Sequence, residues 1–379
     1  MIVNPKADTE AVCHPYLNDD IPKLERKMHI AWLEKGLGVL PERYTVLDAS
    51  RPWIIYWILG SLTTLGVDME QYRDRVLLTL KTTWHPNGGF GGNFGQIGHL
   101  APTYAAINAL ILVGGNKTLE IFDRDVMYKW ILSLKQPDGS FKMHHGGEID
   151  ARAVYCALTI ATHLNMLTPE LTAGTAEWLG HCQSFEGGMA PRPGAEAHAG
   201  YSFCVLAALC ILGPPKDVLP KHLNLDAFMR WMMARQLPYE GGFSGRTNKL
   251  VDGCYSWWVG GCFPLVEAAL EYQDTPIWNR AGLEKYVLSC CQSNKGGLRD
   301  KPGKNPDFYH SCYALAGLSV SQTDYNHDET ASSKPGVCAL QWSARRTTER
   351  LIIPENEVTQ LHPIFVLPFD KIAEFRNPV

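Results

Sequence analysis

The chain has 379 residues, of which 45% are hydrophobic and 20% charged, and its 35 basic and 39 acidic side chains leave a net charge of −4. These values are typical of a globular protein with a large core, and they exclude a disordered, collagen-like or coiled-coil chain as well as a strongly basic surface for nucleic acid. The length allows two or three domains, or one large closed architecture.

A glycine-containing turn motif recurs along the chain and divides it into similar units. The motif occupies residues 84–90, 136–141, 183–188, 236–243 and 292–297. The last glycines of the five motifs, at positions 89, 139, 188, 242 and 297, are 50, 49, 54 and 55 residues apart. Such a regular period is typical of repeat architectures.

Helical patterns lie on both sides of the motifs. The segments before them place apolar residues every three or four positions with charges between, and include 123–134, 169–182, 225–235 and 276–291. The segments after them are apolar on all sides and include 101–113, 151–164, 200–212, 253–270 and 309–320. Residues 24–40 and 52–65 form an earlier pair, for which Ser50 is the predicted N-cap and Pro52 suits the first helical turn.

The unit of amphipathic helix, glycine turn and apolar helix occurs about six times, and strand-like alternation is nearly absent. Because a helix that is apolar all round must be buried on every side, the apolar helices should form an inner ring inside a sheath of amphipathic ones. The sequence therefore predicts an all-α fold, an α–α barrel of about six helical hairpins, in a single domain over residues 1–379. An open solenoid of helical hairpins is the alternative.

Two C-terminal segments depart from the repeat. Residues 321–350 are polar and rich in turn-forming residues, which predicts a surface insertion or loop. Residues 351–379 are predicted to form an ordered extension packed on the barrel.

Cysteine content and apolar runs indicate the compartment. The 11 cysteines are an odd number in a long chain, which favours reduced thiols over a disulfide framework. Residues 1–20 lack the apolar core of a signal peptide, and the longest apolar run, 203–212, is too short to span a bilayer. These features predict a cytoplasmic protein without a membrane span.

Unusual polar residues concentrate where the apolar helices begin. They include His99, Arg152, His198, Asp252 and His310. In a barrel these helix starts meet at one end, so the side chains should surround the mouth of an apolar funnel. The backbone N–H groups and helix dipoles at the same end favour anions.

Asp252, Cys254 and His310 form a candidate metal site at this mouth. Carboxylate, thiolate and imidazole suit zinc, and three protein ligands leave the fourth position open for a substrate. A thiol bound to zinc is deprotonated and becomes a strong nucleophile at neutral pH. The alternative is a buried core cysteine beside a helix-capping aspartate, since no CxxC or HxxxH spacing is present.

Two further groups indicate the substrate. Arg246 and Lys249, with His198, Tyr201 and Tyr255, form a cationic, donor-rich group for phosphate oxygens, although a solvated loop with two charges is the alternative. Aromatic side chains on the inner helices suit a long apolar ligand, although core packing is the alternative for any one of them. They are Trp53, Tyr56, Trp57, Tyr104, Tyr155, Trp257, Trp258, Tyr309 and Tyr313. Funnel, cationic mouth and metal together indicate alkylation of a thiol by a lipid diphosphate.

Long strings of the sequence resemble the β subunits of protein farnesyltransferases, within the protein prenyltransferase β family. They cover residues 47–53, 99–106, 196–201, 249–255, 300–304 and 307–310, inside a resemblance from about residue 27 to residue 318 and a weaker one near 355–370. Ala199 departs from the glycine that is usual in the family. The resemblance implies the α–α barrel, a heterodimer with an α subunit, and farnesyl transfer from farnesyl diphosphate to the cysteine of C-terminal CaaX sequences, with Zn²⁺ and Mg²⁺ as cofactors.

The resemblance also implies a role for individual residues. The zinc ligands of the family match Asp252, Cys254 and His310. Its diphosphate pocket, to which the α subunit adds a lysine, matches His198, Arg246, Lys249 and Tyr255. Its isoprenoid site matches Arg152, Tyr155, Tyr201 and Trp258, with Trp53 and Tyr313. The surroundings of the last peptide residues match Ser50, Trp53, Trp57, His99, Ala101 and Tyr309. Asp300 matches a carboxylate that places Mg²⁺ on the diphosphate.

Three positions bear on the length of the lipid. Trp53 and Tyr313 resemble the bulky pair that shortens the funnel in the farnesyl enzymes. Asp300 stands where the type I geranylgeranyl enzymes, which do not need magnesium, have a lysine. Both features imply farnesyl transfer, and the β subunit of a type I protein geranylgeranyltransferase is the alternative.

Three other classes of protein fit less well. A triterpene cyclase would need an acidic cluster such as Asp-x-Asp-Asp, which the sequence lacks. A barrel glycosidase would need paired carboxylates, for which Asp252 and Asp307 are candidates, but Arg246 and Lys249 have no use in that chemistry. A non-catalytic scaffold would bind neither zinc nor a lipid diphosphate.

Overall fold

The computed structural model describes residues 5–18, 20–270, 277–328, 330, 332–348 and 353–376. Its α-helices, in chain order, are α1 Pro5–Leu17, α2 Arg26–Gly36, α3 Arg51–Thr64, α4 Arg73–Thr83, α5 Leu100–Val113, α6 Arg124–Leu134, α7 Ala151–His163, α8 Pro169–Thr172, α9 Thr175–His181, α10 Ala199–Leu212, α11 Pro215–His222, α12 Leu225–Met233, α13 Tyr255–Trp258, α14 Cys262–Ala269, α15 Arg280–Tyr286, α16 Phe308–Ser321 and α17 Phe369–Arg376. Two antiparallel strands, β1 Thr323–His327 and β2 Trp342–Arg346, follow α16.

The apolar helices form a closed inner ring. Helix α3 packs against α5, α5 against α7, α7 against α10, α10 against α13 and α14, α13 against α16, and α16 against α3. The contact between α16 and α3 joins the last inner helix to the first. This closure confirms the predicted α–α barrel and excludes the open solenoid.

Burial explains why these helices are apolar on every side. In α5, every residue from Pro102 to Val113 is buried. The amphipathic helix α12, which lies outside the ring, buries one face through Leu225, Phe228, Trp231 and Met232. No helix among the described residues is long and apolar enough to cross a membrane.

An isolated antiparallel β-bridge closes each glycine turn. The bridges join Trp84 to Phe90, Lys135 to Phe141, Gln183 to Met189, Gln236 to Phe243 and Gln292 to Leu298. The φ angle of Gly187 is +102°, a left-handed value that favours glycine. A Cβ atom on Gly187 would also lie 2.2 Å from the carbonyl oxygen of Ala227 in α12, so the turn has no room for a side chain.

Replacing Gly187 by alanine is expected to destabilise the protein by about 2–4 kcal/mol, because left-handed strain adds to a clash with backbone. Gly194 is the matched control, since its φ is +79° but a Cβ atom there would meet nothing within 4 Å. Gly194→Ala should cost only about 1 kcal/mol. Urea unfolding of the assembled protein measures both losses, and equal losses would contradict the close approach.

Some predicted helices are interrupted. The apolar segment 253–270 breaks into α13 and α14 at Gly260 and Gly261, which are poor helix formers. The segment 169–182 breaks into α8 and α9 at Gly174, whose φ is +70°. The segment 276–291 begins at Arg280 as an α-helix and ends in a π-helix, Val287–Cys291, while residue 276 lies outside the described residues.

The segment 321–350, expected to be a surface insertion or loop, contains the only strands of the described chain. Strands β1 and β2 pair from Thr323 opposite Arg346 to His327 opposite Trp342. Thr323 and Cys338 are fully buried, and the thiol of Cys338 lies 3.6 Å from the carbonyl oxygen of Ile211. The described part of the segment therefore holds a paired and partly buried hairpin, and residues 329, 331, 349 and 350 lie outside the described part.

The described part of the C-terminal extension, residues 353–376 (the tail), lies against the C-terminal ends of the inner helices. The Thr359 N–H donates to the carbonyl of Thr64, at the end of α3, over 2.9 Å. The Ser319 hydroxyl, near the end of α16, donates to the carbonyl of Thr359 over 2.8 Å. Tyr155 reaches down from α7 and donates to the carbonyl of Ile364 over 2.7 Å. The tail thus covers the end of the barrel opposite the helix starts.

Two buried histidines make the junction of barrel and tail sensitive to acid. His163 and His362 are each 2% exposed, and their rings flank Phe365 at centroid distances of 4.5 and 4.8 Å. Burial, aided by Arg376, lowers the pKa of His163 to about 3. Burial, aided by His163, also lowers the pKa of His362 well below its ordinary value.

The contribution of the two histidines to the free energy of unfolding is expected to be constant above about pH 6.5. Below that pH the free energy of unfolding should fall, because both histidines bind protons in the unfolded chain and not in the folded chain. Each histidine should contribute a slope of up to about 1.4 kcal/mol per pH unit. Thermal unfolding of the wild type and of His163→Phe between about pH 5 and pH 8 measures this slope. A slope that the substitution leaves unchanged would contradict the assignment.

Candidate active site

The inner helices all begin at one end of the barrel, here called the rim. His99, Asp150, His198 and Asp307 each accept a hydrogen bond from a backbone N–H in the first turn of the helix that follows. Asp252 accepts in the same way from the N–H of Cys254 over 2.8 Å. Because all of these helices start at the rim, their capping side chains surround one opening.

Three side chains able to bind a metal meet at the rim. The ligand atoms of Asp252, Cys254 and His310 all lie within 4.8 Å of one another. The loop that carries Asp252 and Cys254 is fixed by a backbone hydrogen bond, which the Gly253 N–H donates to the carbonyl of Asp300 over 2.8 Å. One carboxylate, one thiol and one imidazole in this arrangement fit zinc and leave a fourth position for another ligand.

Asp307 orients the imidazole of His310. The Nδ1 atom of His310 lies 2.7 Å from Oδ2 of Asp307, and its Nε2 atom lies 3.2 Å from Oδ1 of Asp252. Histidines that bind metals are held by carboxylates in this way. Asp307 was not among the residues predicted for the metal site, although its place three positions before His310, at a helix start, is a usable signal.

The electrostatics of the cluster follow from burial and from these contacts. Burial acts to lower the pKa of His310, but hydrogen bonds to Asp252 and Asp307 outweigh it and raise that pKa to about 10. Burial, with the Asp252 carboxylate, raises the pKa of the Cys254 thiol. The cluster without a cation therefore keeps the thiol protonated and the imidazole charged, which is the reverse of the protonation that a bound cation imposes.

Arg246, His198 and Tyr255 lie together at the rim beside the metal cluster. The Tyr255 hydroxyl lies 3.1 Å from Nε2 of His198. Burial, followed by the charge of Arg246, lowers the pKa of His198, so the imidazole is neutral. Arg246 forms an ion pair of 2.7 Å with Glu196. Lys249, three residues after Arg246 on the same loop, is exposed.

Asp300 lies at the rim next to Asp252. Burial, together with the Asp252 carboxylate, raises the pKa of Asp300. Its side chain forms an ion pair of 2.5 Å with Lys301, a neighbour that was not predicted to take part. The carbonyl of Asp300 accepts from the Tyr286 hydroxyl over 2.8 Å, which fixes the backbone at this position.

Aromatic side chains below the rim form a closed ring of contacts, here called the collar. Helices α3, α5, α7, α10, α13 and α16 each contribute at least one aromatic ring to it. Ring-centroid distances are 5.7 Å for Trp53–Tyr104, 5.5 Å for Tyr104–Tyr155, 5.7 Å for Tyr155–Phe203, 5.6 Å for Phe203–Trp258, 4.4 Å for Trp258–Tyr313, 5.0 Å for Tyr313–Tyr309, 5.5 Å for Tyr309–Trp57 and 5.4 Å for Trp57–Trp53. Phe203 was not predicted, because a phenylalanine in an apolar helix gives no separate signal. The collar is an apolar, polarisable wall suited to an unsaturated hydrocarbon.

Arg152 and Tyr201, predicted to line the isoprenoid site, lie at the rim. Arg152 forms an ion pair of 2.5 Å with Asp150 and stands over the ring of Tyr201 at 5.6 Å. The hydrogen bonds that Arg152 donates to the Asp150 carboxylate are the largest cause that raises the pKa of Arg152 above its already high ordinary value. The guanidinium is therefore a fixed positive charge above the collar.

The residues predicted around a peptide end lie at the starts of α3, α5 and α16, and Tyr309 among them contacts the ring of His310 at a centroid distance of 5.1 Å. Ser50 is the N-cap residue of α3, but its hydroxyl makes no capping hydrogen bond. His99 accepts from the Ala101 N–H over 3.1 Å, and its ring lies 5.1 Å from that of His144. Burial, with the nearby His144, lowers the pKa of His99 to about 4, so this imidazole is neutral.

Comparison with known proteins gives a consistent result. The Prenyltransferase alpha-alpha toroid domain family matches residues 24–367. The protein farnesyltransferase subunit beta of Pyricularia oryzae is 41% identical, over 98% of this chain and 79% of that protein. The subunit of the same name from Schizosaccharomyces pombe is 40% identical, over 96% of this chain and 92% of that protein.

More distant relatives share the fold. The geranylgeranyl transferase type-1 subunit beta of Arabidopsis thaliana is 29% identical over 81% of this chain and 87% of that protein. The structure of Candida albicans protein geranylgeranyltransferase-I complexed with GGPP superposes with a TM-score of 0.69 at 20% identity, over 94% of this chain and 100% of that one. The match to the toroid family over residues 24–367 and the identities of 41% and 40% to two farnesyltransferase β subunits show the family. The chain belongs to the family of protein farnesyltransferase β subunits.

Proposed function

We propose that this chain is the catalytic β subunit of a cytoplasmic protein farnesyltransferase, which works with an α subunit and transfers farnesyl from farnesyl diphosphate to the cysteine of C-terminal CaaX sequences. The observation that carries the proposal is the cluster of Asp252, Cys254 and His310, whose imidazole lies 5.1 Å from the ring of Tyr309 in the aromatic collar. Farnesyl transfer is favoured over geranylgeranyl transfer because the farnesyltransferase β subunits of Pyricularia oryzae and Schizosaccharomyces pombe are 41% and 40% identical to this chain, whereas the geranylgeranyl transferase subunit of Arabidopsis thaliana is 29% identical.

Asp252, Cys254 and His310 are the proposed zinc ligands. Zinc held there would supply a deprotonated, strongly nucleophilic substrate thiol. The sulfur forms a bond to C1 of the lipid while the bond between C1 and the diphosphate oxygen breaks, and diphosphate leaves with the electron pair. Because the thiol enters the reaction without its proton, none of the neutral imidazoles at the rim has to act as a base.

The remaining rim residues are proposed to bind the leaving diphosphate. Arg246 and Lys249 supply positive charge, and the Tyr255 hydroxyl and His198 supply donors, so that charge developing on the oxygens is stabilised. The carboxylate of Asp300 is proposed to hold Mg²⁺ against the same oxygens. The lipid lies in the collar, along Trp53, Tyr155, Trp258 and Tyr313 with Arg152 and Tyr201 above, and Ser50, Trp57, His99, Ala101 and Tyr309 surround the peptide.

The proposal is tested by co-expressing the chain with an α subunit and offering the heterodimer farnesyl and geranylgeranyl diphosphate in competition, with a peptide ending in a CaaX sequence. Predominant farnesylation is expected. Predominant geranylgeranylation would keep the reaction and overturn the lipid assignment. Transfer of neither lipid by a zinc-loaded heterodimer would overturn the proposed function.

Asp307→Asn is expected to weaken zinc binding by about 10–100-fold, because asparagine still caps α16 but no longer holds Nδ1 of His310 as a carboxylate does. Competition with a chromogenic chelator measures the zinc dissociation constant. Asp123→Asn is the matched control, since Asp123 caps α6 by accepting from the Val126 N–H over 2.9 Å and forms no ion pair with a histidine among the described residues. An unchanged dissociation constant in Asp307→Asn would remove Asp307 from the site.

A further inference from the structure

A layer of polar side chains lies one helical turn below the aromatic collar. Tyr104 on α5 and Tyr155 on α7 belong to the collar, and their hydroxyl oxygens are 3.3 Å apart. Asn108 and Thr159 follow four residues after these tyrosines on the same two helices. Because both helices start at the rim and residues four apart share a helix face, the backbone positions of Asn108 and Thr159 lie about 6 Å deeper than those of the two tyrosines.

The polar atoms of this layer have no partner in the protein. Asn108 and Thr159 are fully buried, yet neither amide atom of Asn108 nor the hydroxyl of Thr159 has a hydrogen-bond partner among the described residues. His163, one turn beyond Thr159, is 2% exposed and has no partner for either ring nitrogen within the same part of the chain. Buried groups of this kind are almost always satisfied by ordered water when the protein does not satisfy them.

The tail encloses the layer from the other side. Tyr155 binds the carbonyl of Ile364, and Phe365 contacts the ring of His163. His362 presents a further buried ring nitrogen, Nε2, that has no partner among the described residues. The unpaired atoms therefore lie on α5, on α7 and on the tail, three parts of the chain that pack against one another.

We propose that Asn108, Thr159 and His163 form a hydrated polar floor beneath the collar, and that this floor limits the length of the isoprenoid that the funnel accepts. The inference rests on the proposed function. A lipid that ends within the collar leaves the water of the floor in place. A lipid longer by one five-carbon unit reaches about one helical turn deeper, displaces that water and leaves buried donors and acceptors unpaired.

The floor adds a second kind of selectivity to the bulk of the collar. A bulky side chain excludes a longer lipid by volume, and a flexible chain can avoid it by bending. Polar groups that lose their water raise the free energy of every lipid conformation that reaches them, because no hydrocarbon atom can replace the hydrogen bonds of that water. Replacing a floor residue by an apolar residue of similar shape should therefore relax the length limit without enlarging the funnel.

The test compares Asn108→Leu and Thr159→Val with the wild type as zinc-loaded heterodimers. Binding of farnesyl and geranylgeranyl diphosphate is measured by calorimetry, and transfer is measured in competition. The preference for the longer lipid, as a ratio of kcat/KM values, is expected to rise about tenfold for Asn108→Leu and several-fold for Thr159→Val, with a matching change in the binding ratio. Thr162→Val is the control, since the Thr162 hydroxyl, on the same helix, already donates to the carbonyl of Leu158 over 2.7 Å.

The outcomes separate the floor from the proposed function. A wild type that binds neither diphosphate overturns both. A wild type that binds and transfers farnesyl, with floor variants that keep its lipid ratio, overturns the floor alone, as does a control that shifts as much as Thr159→Val. If Asn108→Leu fails to fold, the smaller change Thr159→Val decides the question by itself.

Discussion

Cys254→Ala is expected to remove bound zinc and to lower prenyl transfer by about 10³-fold. A free thiol with a pKa of about 8.5 is only a few per cent thiolate at neutral pH, which accounts for about 30-fold. Loss of the metal also releases the sulfur from its position above the lipid, and misplacement by about 1 Å costs about 10²-fold more. Atomic absorption of the purified heterodimer, together with a transfer assay at saturating lipid, measures both effects.

Cys210→Ala is the matched control for this experiment. Cys210 is also a buried thiol, 1% exposed, but it lies near the far end of α10, next to Cys338 of the hairpin segment. The control should retain one zinc ion and its activity. Full turnover by Cys254→Ala without zinc would overturn the metal scheme, and loss of zinc from both variants would show only that thiols are needed for folding.

Trp53→Thr is expected to raise the preference for geranylgeranyl over farnesyl diphosphate by about 100-fold. A hydrophobic pocket that can bury one additional methylene raises kcat/KM for the larger substrate by roughly 10- to 200-fold. Trp53 contacts Trp57 and Tyr104 of the collar at centroid distances of 5.4 and 5.7 Å, and it contacts Tyr56 outside the collar at 6.0 Å. Its removal opens one side of the collar between α3 and α5. The ratio of kcat/KM values for the two lipids measures the change.

Trp84→Thr is the control, because Trp84 packs against Phe90 and Phe122 in a turn outside the collar. That substitution should lower stability and leave the lipid ratio unchanged. A Trp53→Thr enzyme that keeps the wild-type ratio would show that Trp53 does not set the depth of the funnel.

The architecture could be predicted because it depends on local regularities. The spacing of the glycine motifs gives the period, and all-round apolarity identifies the inner helices. The near-uniform spacing and the count of about six units favour a closed ring over an open solenoid, and the contact of α16 with α3 decides between them. The same logic places residues such as Asp252 and His310 at one end, because equivalent positions of a repeat lie at equivalent heights. The structure brings these residues together, and their role as metal ligands stays a prediction.

Features that depend on long-range or irregular contacts could not be predicted. The sequence places Arg152 at the rim but does not show its ion pair with Asp150, which fixes the guanidinium there. The unpaired state of Asn108 is visible only when every neighbour is known. The hairpin of β1 and β2 lies in a polar stretch whose alternation is too weak to separate a strand from a loop.

The contact between α3 and α16 has a consequence for synthesis. Residues in these two helices are separated by most of the chain, so the seam of the ring cannot form until α16 has left the ribosome. Until then the nascent chain carries an open row of apolar helices with two uncovered edges, which is a surface for chaperones and for misassembly. His310 also lies on α16, so the three side chains of the metal cluster cannot meet until α16 has been made. A nascent chain stalled before α16 should bind a chaperone and take up no zinc.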